Sequence, residues 1–385
     1  MKLIKLISRN SLRRPLRTFL TILGIALAVM AFGLIRTFIV AWYAGARAAA
    51  PDRIITRHAV SIVFELPLAY KDQLQKIDGV KKVTYASWFA GIYIDPKNFF
   101  PQFAMDHENF LDIYPEFIVP ADQLEAFAKE KQAVIVGQGL ADRFGWKLGE
   151  KVSLIGTIYP GTWDFIIRGI YTGETEDTDE TLFMFRYDYF DEALRRDSPG
   201  RAGQVGWYVL QIDNPDRSAE IGAIIDKRFD NSLAETRTET EKEFQLSFIQ
   251  LSGAIILGLR IISYLIIGVI LMVLVNTMAM TARERVSENA FMRTLGFRGY
   301  HLVGLILGES LFIATIGGFL GMGFLMLASN LARMALSQFF PGFQTDTLTY
   351  ALGLIVAVLV GLVAAAFPIQ RALRIRIVDG LRVVD

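Results

Sequence analysis

The sequence predicts a membrane α-helical protein with four transmembrane helices and a large α+β extracytoplasmic (periplasmic) domain between helices 1 and 2. Three observations predict it. Four apolar runs are long enough to span a bilayer, basic residues cluster at alternate connections, and about 200 residues of mixed strand and helix patterning separate the first run from the second. Composition agrees, since 52% of the 385 residues are hydrophobic and 21% are charged, which suits a membrane protein with a substantial aqueous part.

A membrane helix needs roughly 20 mostly apolar residues to cross about 30 Å of hydrocarbon. The first span, residues 18–43, opens with TFLTILGIALAVMAFGLI and continues past Arg36. A cleaved signal peptide is the alternative, with Ala46–Ala48 as its cleavage site, but the apolar run exceeds the usual h-region of about 7–15 residues. The second span, 251–280, contains IISYLIIGVILMVLVNTMAM. The third covers 301–331, and the fourth, 348–368, contains LTYALGLIVAVLVGLVAAAF.

Charge orients these spans. Segment 1–17 carries Lys2, Lys5, Arg9, Arg13, Arg14 and Arg17 without an acid. Segment 281–300 carries Arg283, Arg285, Arg293 and Arg298, and the tail 369–385 carries Arg371, Arg374, Arg376 and Arg382. The short loop 332–347 has few basic residues, Arg333 among them. The positive-inside rule therefore places 1–17, 281–300 and 369–385 in the cytoplasm, with both termini inside, and leaves 44–250 and 332–347 outside. The chain has no cysteine, which excludes disulfides and thiolate metal sites and fits a multi-pass protein of the bacterial inner membrane. A net charge of +1 gives no case for nucleic acid.

The outer segment reads as a folded domain. VKKVTYASWFAGIYI (Val80–Ile94), WDFIIRGIYTGE and GWYVLQID are strand-like, rich in β-branched and aromatic residues. LPLAYKDQLQKIDGV predicts a helix ended by Gly79, and PDRSAEIGAIIDKRF has helical apolar spacing. QAVIVGQGLADRFGWKLGEKVSLIG predicts strand, short helix, turn and strand. Thr172–Thr181 is acidic but lacks calcium-loop spacing and glycine, so it is read as a solvated loop. Glu235–Gly253 predicts a polar helix merging into the second span, a stalk.

Chemistry motifs are sparse. There is no G-x-x-x-x-G-K-[ST] phosphate loop, no G-x-S-x-G elbow and no H-E-x-x-H, and GQGLADRFG has its third glycine out of step with a dinucleotide fingerprint. His58, His107 and His301 are scattered, which argues against a metal cluster. The expectation is a chain without catalytic residues, cofactor or metal. Arg36 and Arg260 fall near the outer ends of their spans and can snorkel to the interface. Glu309 lies about two turns inside the third span, within reach of a basic residue on a neighbouring helix or the N-terminal segment, in a structural or coupling role. Gly304 and Gly308, and Gly317 and Gly321, are four apart, a spacing that lets helices approach closely in lipid.

The stretch TARERVSENAFMRTLGF, Thr281–Phe297, joins two spans. At about 100° per residue, Val286, Ala290 and Phe297 share one side. Phe291 and Leu295 share another with Glu284 and Glu288, and Arg285, Asn289 and Arg293 form a third strip at i, i+4, i+8. Gly296 is placed to end the helix. Two apolar edges need two neighbours, the membrane face of the chain itself and a cytoplasmic partner. A solvated loop with snorkelling arginines is the other reading.

NTMAMTARERVSENAFMRTLGF resembles the cytoplasmic connection of FtsX/MacB-like permeases, the membrane subunits of mechanotransmission-type (type VII) ABC transporters. Asn276, Met278, Arg283, Glu284, Arg285, Glu288, Arg293, Leu295 and Gly296 fit the pattern. GESLFIATIGGFLG resembles the family's third span, FPIQRALRIRIVDGLR its ending, with Val378 where a proline is usual, and SLRRPLRTFLTILGIALAV its beginning. AVIVGQGLADRFGWKLGEKVSL resembles the core of its outer domain.

This resemblance implies that 281–300 is a coupling helix docking on a separate ABC ATPase dimer, which alone binds ATP and magnesium. The coupling residues it implies are Arg283, Glu284, Arg285, Glu288, Asn289, Phe291, Met292, Arg293, Leu295, Gly296 and Phe297, with Glu309, Gly317 and Gly321 in intramembrane structural or coupling roles. It further implies a second permease subunit, identical or paralogous, contact with membrane lipid and a periplasmic adaptor or acceptor as a further partner. The leading expectation is a permease that exports or extracts a lipoprotein, lipid, peptide or drug. The alternative is a non-transporting regulator of a periplasmic partner, against which the size of the outer domain counts. A secondary transporter would need midplane polar sites and commonly repeated halves, and neither is visible. Arg285→Glu with Arg293→Glu is expected to abolish ATPase binding.

Overall fold

Each apolar run forms one long helix in the computed structural model, which describes residues 13–175, 178–251, 253–336 and 343–374. Lys2, Lys5, Arg9, Glu176, Asp177, Arg376, Val378, Leu381 and Arg382 lie outside the described residues. In chain order the helices begin with α1 (Pro15–Trp42), α2 (Ala44–Ala48), α3 (Tyr70–Leu74), α4 (Phe110–Ile113) and α5 (Ala121–Lys129). They continue with α6 (Gln138–Phe144), α7 (Tyr187–Asp197), α8 (Ser218–Arg228) and α9 (Glu241–Leu251). The last four are α10 (Gly253–Glu284), α11 (Val286–Thr294), α12 (Gly299–Leu336) and α13 (Thr347–Arg374). Among the described residues the chain divides into a helix bundle, built of α1 and α10 to α13, and a large domain spanning Trp42–Leu251.

Helices α1, α10, α12 and α13 are long and apolar enough to cross a membrane. They overrun the spans read from hydropathy: α10 continues from Met280 to Glu284, and α13 passes through Pro368 to Arg374. Apolar content marks where lipid ends, whereas a helix ends only at a breaker or cap, and Ala282, Arg283 and Glu284 are good helix formers. The start of α13 has such a cap, Asp346, whose Oδ1 accepts from the Thr349 amide at 2.9 Å. Arg36 of α1 donates to Thr349 Oγ1 at 3.0 Å, so this arginine is pinned to a helix start within its own bundle.

Ile25 and Val29 of α1, Ile270, Leu274 and Met278 of α10, Ile313 of α12, and Ala357, Val360 and Ala364 of α13 form the bundle core. The glycines set the spacing. A Cβ at Gly317 would lie 2.7 Å from Ile25, and one at Gly321 would lie 2.7 Å from both Val29 and the Ala26 carbonyl. Both glycines therefore seat α12 on α1 of the same chain, by the close contact that replaces hydrophobic drive in lipid. Gly304 and Gly323 have nothing within 4 Å of that position.

The strands of the large domain are β1 (Arg53–His58), β2 (Leu66–Pro67), β3 (Val80–Trp88), β4 (Gly91–Ile92), β5 (Gln102–Met105) and β6 (Phe117–Ile118). Then come β7 (Ala133–Gly137), β8 (Lys151–Gly156), β9 (Gly161–Gly173), β10 (Phe183–Arg186), β11 (Gln204–Val205), β12 (Trp207–Ile212) and β13 (Thr236–Thr240). The main sheet runs β13-β1-β12-β3-β5-β10-β7-β9-β8-β4, with β6 beside β9. The β5–β10 and β7–β9 pairs are parallel and their neighbours antiparallel, so the sheet is mixed.

Its far end curls back on itself. The Gln102 side chain accepts from Gly91 N at 2.5 Å and donates to Gly91 O at 2.8 Å, acting as a strand partner that joins β4 to β5. Inside the curl sit Phe89, Phe165, Phe183, Phe185 and Phe190, fully buried and packed edge to face.

The stalk differs from the sequence reading. Thr236–Thr240 is an edge strand, and the helix begins only at Glu241. Alternating Thr236, Thr238 and Thr240 are a period-2, β-branched signal, short enough to be hidden beside a helical segment. Asp226 accepts from Thr238 N and Glu243 from Thr240 N, so side chains cover backbone donors that an edge strand otherwise exposes. In the acidic stretch, Asp179 accepts from Thr181 and Glu180 from Gly173 N, so these acids tie the backbone.

Candidate docking site

The bundle end where α1 begins gathers the charged stretch singled out in the sequence. Helix α10 ends at Glu284, the chain bends at Arg285, and α11 runs for nine residues. Gly296 closes α11 with φ of 89°, a conformation that favours glycine. Gly296 N donates to Arg293 O and Phe297 N to Met292 O, each at 3.1 Å, the paired bonds of a Schellman terminus.

The charged side chains of this corner turn toward their own chain. Arg285 donates to Glu309 of α12, Nη1 to Oε2 at 2.8 Å, and the two side chains are only 19% and 10% exposed. Arg293 donates to the Leu373 carbonyl of α13 at 3.3 Å. Glu284 receives both Arg17 nitrogens at 3.0 and 3.1 Å and Arg14 at 2.8 Å, and Glu288 receives Arg13 at 2.6 Å. The sequence offers the basic N-terminal segment as an orientation signal and as one source of a partner for Glu309, whereas Arg13, Arg14 and Arg17 pair with Glu284 and Glu288. The Arg13–Glu288 pair is half exposed and worth little, the Arg14 and Arg17 pairs with Glu284 are partly exposed, and the Arg285–Glu309 pair is the most shielded. Between them lies a narrow cleft lined by Met278, Arg285, Met292, Leu305, Ile306 and Glu309.

The apolar side chains divide. Ala290 is buried, whereas Phe291 is 58% exposed, Leu295 63%, Phe297 43% and Tyr300 62%. Phe291 and Leu295 are i and i+4, so they form one ridge, and the glycine turn sets Phe297 beside the start of α12, its ring 5.5 Å from His301. Arg283 and Arg298 are exposed at the rim, Met292 is half-buried, and Asn289 belongs to the same helix. The double reversal Arg285→Glu with Arg293→Glu therefore breaks two intrachain contacts and reports on the integrity of this corner as well as on docking. Glu309 has its cation on the connection itself, and Gly317 and Gly321 act in packing on α1.

The family description "MacB-like periplasmic core domain" matches residues 18–228, and "FtsX-like permease C-terminal" matches residues 260–377. Among solved structures, the periplasmic region of MacB from Actinobacillus actinomycetemcomitans is similar at 10% identity over 52% of this chain and 94% of that one, with a TM-score of 0.37. The extracellular domain of the noncanonic ABC-type transporter YknZ from Gram-positive bacteria is similar at 14% identity over 49% of this chain and 100% of that one, TM-score 0.36. No curated protein matches the chain.

Proposed function

Because this chain belongs to the FtsX/MacB-like ABC permeases, we propose that it couples ATP hydrolysis by a separate ATPase to motion of its large periplasmic domain, for export or extraction of a substrate. On this reading the chain is a non-catalytic subunit of the bacterial inner membrane, with both termini cytoplasmic. It works with a second permease subunit and an ATPase dimer that holds ATP and magnesium. The observation that carries it is the sorting of side chains at Arg285–Tyr300. The acids and the two strip arginines bond their own chain, and Phe291 on α11, Leu295 and Phe297 at its end and Tyr300 at the start of α12 are left exposed. Exposed aromatic and aliphatic anchors on a short rigid helix suit an apolar groove with a polar rim. Pushing on α11 would act on α12 through Arg285–Glu309 and on α1 through the Arg17–Glu284 pair.

The test is purification of the intact chain in mild detergent or nanodiscs, with identification of the proteins that accompany it. An ABC-type ATPase in stoichiometric amount, lost when Phe291 and Leu295 are replaced, is the expected result. Retention of the ATPase by that variant, or its absence from the wild-type preparation, refutes the reading.

A further inference from the structure

Within the large domain, one arginine is buried where the stalk meets the sheet. Arg53 opens β1 and its side chain is 4% exposed. Nε donates to Glu241 Oε2 at 2.7 Å, Nη1 to Glu116 Oε2 at 3.0 Å and to the Ile113 carbonyl at 3.1 Å, and Nη2 to Glu116 Oε1 at 2.7 Å. The guanidinium lies 4.2 Å from the centroid of the Tyr114 ring. Glu241, 7% exposed, also accepts from Ala50 N at 3.2 Å. Burial opposes the charge of Arg53, but the bond to Glu116 and the field of Glu241 outweigh it and hold its pKa above the ordinary value.

Glu241 is the first residue of α9, the helix that leads toward α10. Its start is fixed by a capping box: Glu243 N donates to Thr240 Oγ1 at 3.2 Å, and Thr240 N donates to Glu243 Oε2 at 3.0 Å. Helix α9 also packs on α2, the other connector, with the Gln245 side chain beside Gly45. One guanidinium thus ties together α9, the first strand and the α4–β6 corner, and Glu241 extends the tie to Ala50, just after α2. Apolar contact would fill this space too, but it is non-directional and allows sliding. A planar fork with carboxylates on two sides fixes an angle, and buried charges cost enough in desolvation that fixing geometry is their best-attested use.

We propose that Arg53 is a mechanical joint that makes the large domain turn with α9 as one body, so that displacement of the stalk reaches the sheet and is not lost in the hinge between β13 and α9. This rests on the reading that motion passes from the helix bundle to the large domain. Glu241 carries the tie to α9, and Glu116 carries the tie to the corner.

The test uses the full chain with its ATPase in nanodiscs. Because the chain has no cysteine, spin labels at Gln250→Cys on α9 and Lys147→Cys in the turn that leads into β8 are unique, and pulsed EPR reads the distance between them. The unmodified joint is expected to give one narrow population, with and without ATP. Glu241→Leu, which leaves Arg53 and Glu116 as a neutral pair, is expected to lose that narrow population. Glu116→Leu removes a carboxylate from the same trio and is expected to keep it. The apolar replacement Arg53→Met with Glu116→Leu and Glu241→Leu avoids an unpaired buried charge, so it guards against a Glu241→Leu chain that does not fold, and it too is expected to broaden. A narrow population in Glu241→Leu or in the triple variant, or equal broadening in Glu116→Leu, overturns the joint. Loss of ATPase docking or turnover in the unmodified labelled chain would instead count against the coupling reading, which separates the two failures.

Discussion

Replacing Phe291 and Leu295 together by alanine tests the docking surface at its centre. Their side chains are 58% and 63% exposed, so a partner that covers them gains that share of full burial. At about 1.5–3 kcal/mol for burying one such side chain, the pair contributes about 2–3.5 kcal/mol to association. With about 1.4 kcal/mol per decade, the double variant is expected to weaken ATPase binding roughly 30- to 300-fold. Truncation at exposed helix positions costs the permease itself little, because alanine is a stronger helix former than either residue. The assay is titration of the purified ATPase onto nanodisc-embedded permease, with thermal unfolding of each preparation as a control. Gly304→Ala, at an open position on α12, is expected to bind like the parent chain. Unchanged binding by a double variant that unfolds at the parental temperature would refute the assignment of this ridge as the docking surface.

Three further outcomes follow from the packing. Glu309→Leu leaves Arg285 without its carboxylate in a shielded site and is expected to cost about 3–5 kcal/mol, whereas Arg285→Met with Glu309→Leu recovers most of that loss in the same unfolding assay. Gly321→Ala forces a methyl group to within 2.7 Å of Val29 and the Ala26 carbonyl and is expected to cost about 1–3 kcal/mol, while Gly323→Ala, with nothing within 4 Å, is expected to be nearly neutral. Gln102→Leu strips Gly91 of two hydrogen bonds where β4 meets β5 and is expected to destabilise the large domain by about 2–4 kcal/mol, read by denaturant titration of the intact chain.

Several elements were legible before the structure. A run such as IISYLIIGVILMVLVNTMAM has one stable form in lipid, a helix, because each backbone group must be bonded within the segment. The strands β3, β7, β9 and β12 carry dense β-branched and aromatic patterns that no surface loop needs. Gly296 announced a helix end because so few residues accept positive φ. The edge strand Thr236–Thr240 escaped notice because five alternating residues beside a helical heptad carry little signal. The exact bend between α10 and α11 escaped too, since every residue around Arg285 tolerates a helix.

The roles of charged residues at the docking corner were the least legible. Helical angle placed Arg285, Asn289 and Arg293 on one strip, and a strip of arginines looks the same whether it faces solvent, a partner or its own chain. Which applies depends on where Glu309 and Leu373 fall, and on Arg13 meeting Glu288 across 275 positions of sequence. The trio of Arg53, Glu116 and Glu241 was equally silent, being three ordinary surface-type residues in separate segments.

By itself, the sequence determined the four spans, their charge asymmetry and the mixed strand-and-helix character of the inserted domain. These follow from local quantities: the length of an apolar run, the period of its pattern and the count of arginines at its ends. Only the tertiary structure decided which charges are consumed internally, which apolar side chains remain exposed, and that Gly317 and Gly321 seat α12 on α1. Those outcomes turn on distances of a few ångströms between segments far apart in the chain, where an ion pair or a missing Cβ acts over a range that no local pattern records.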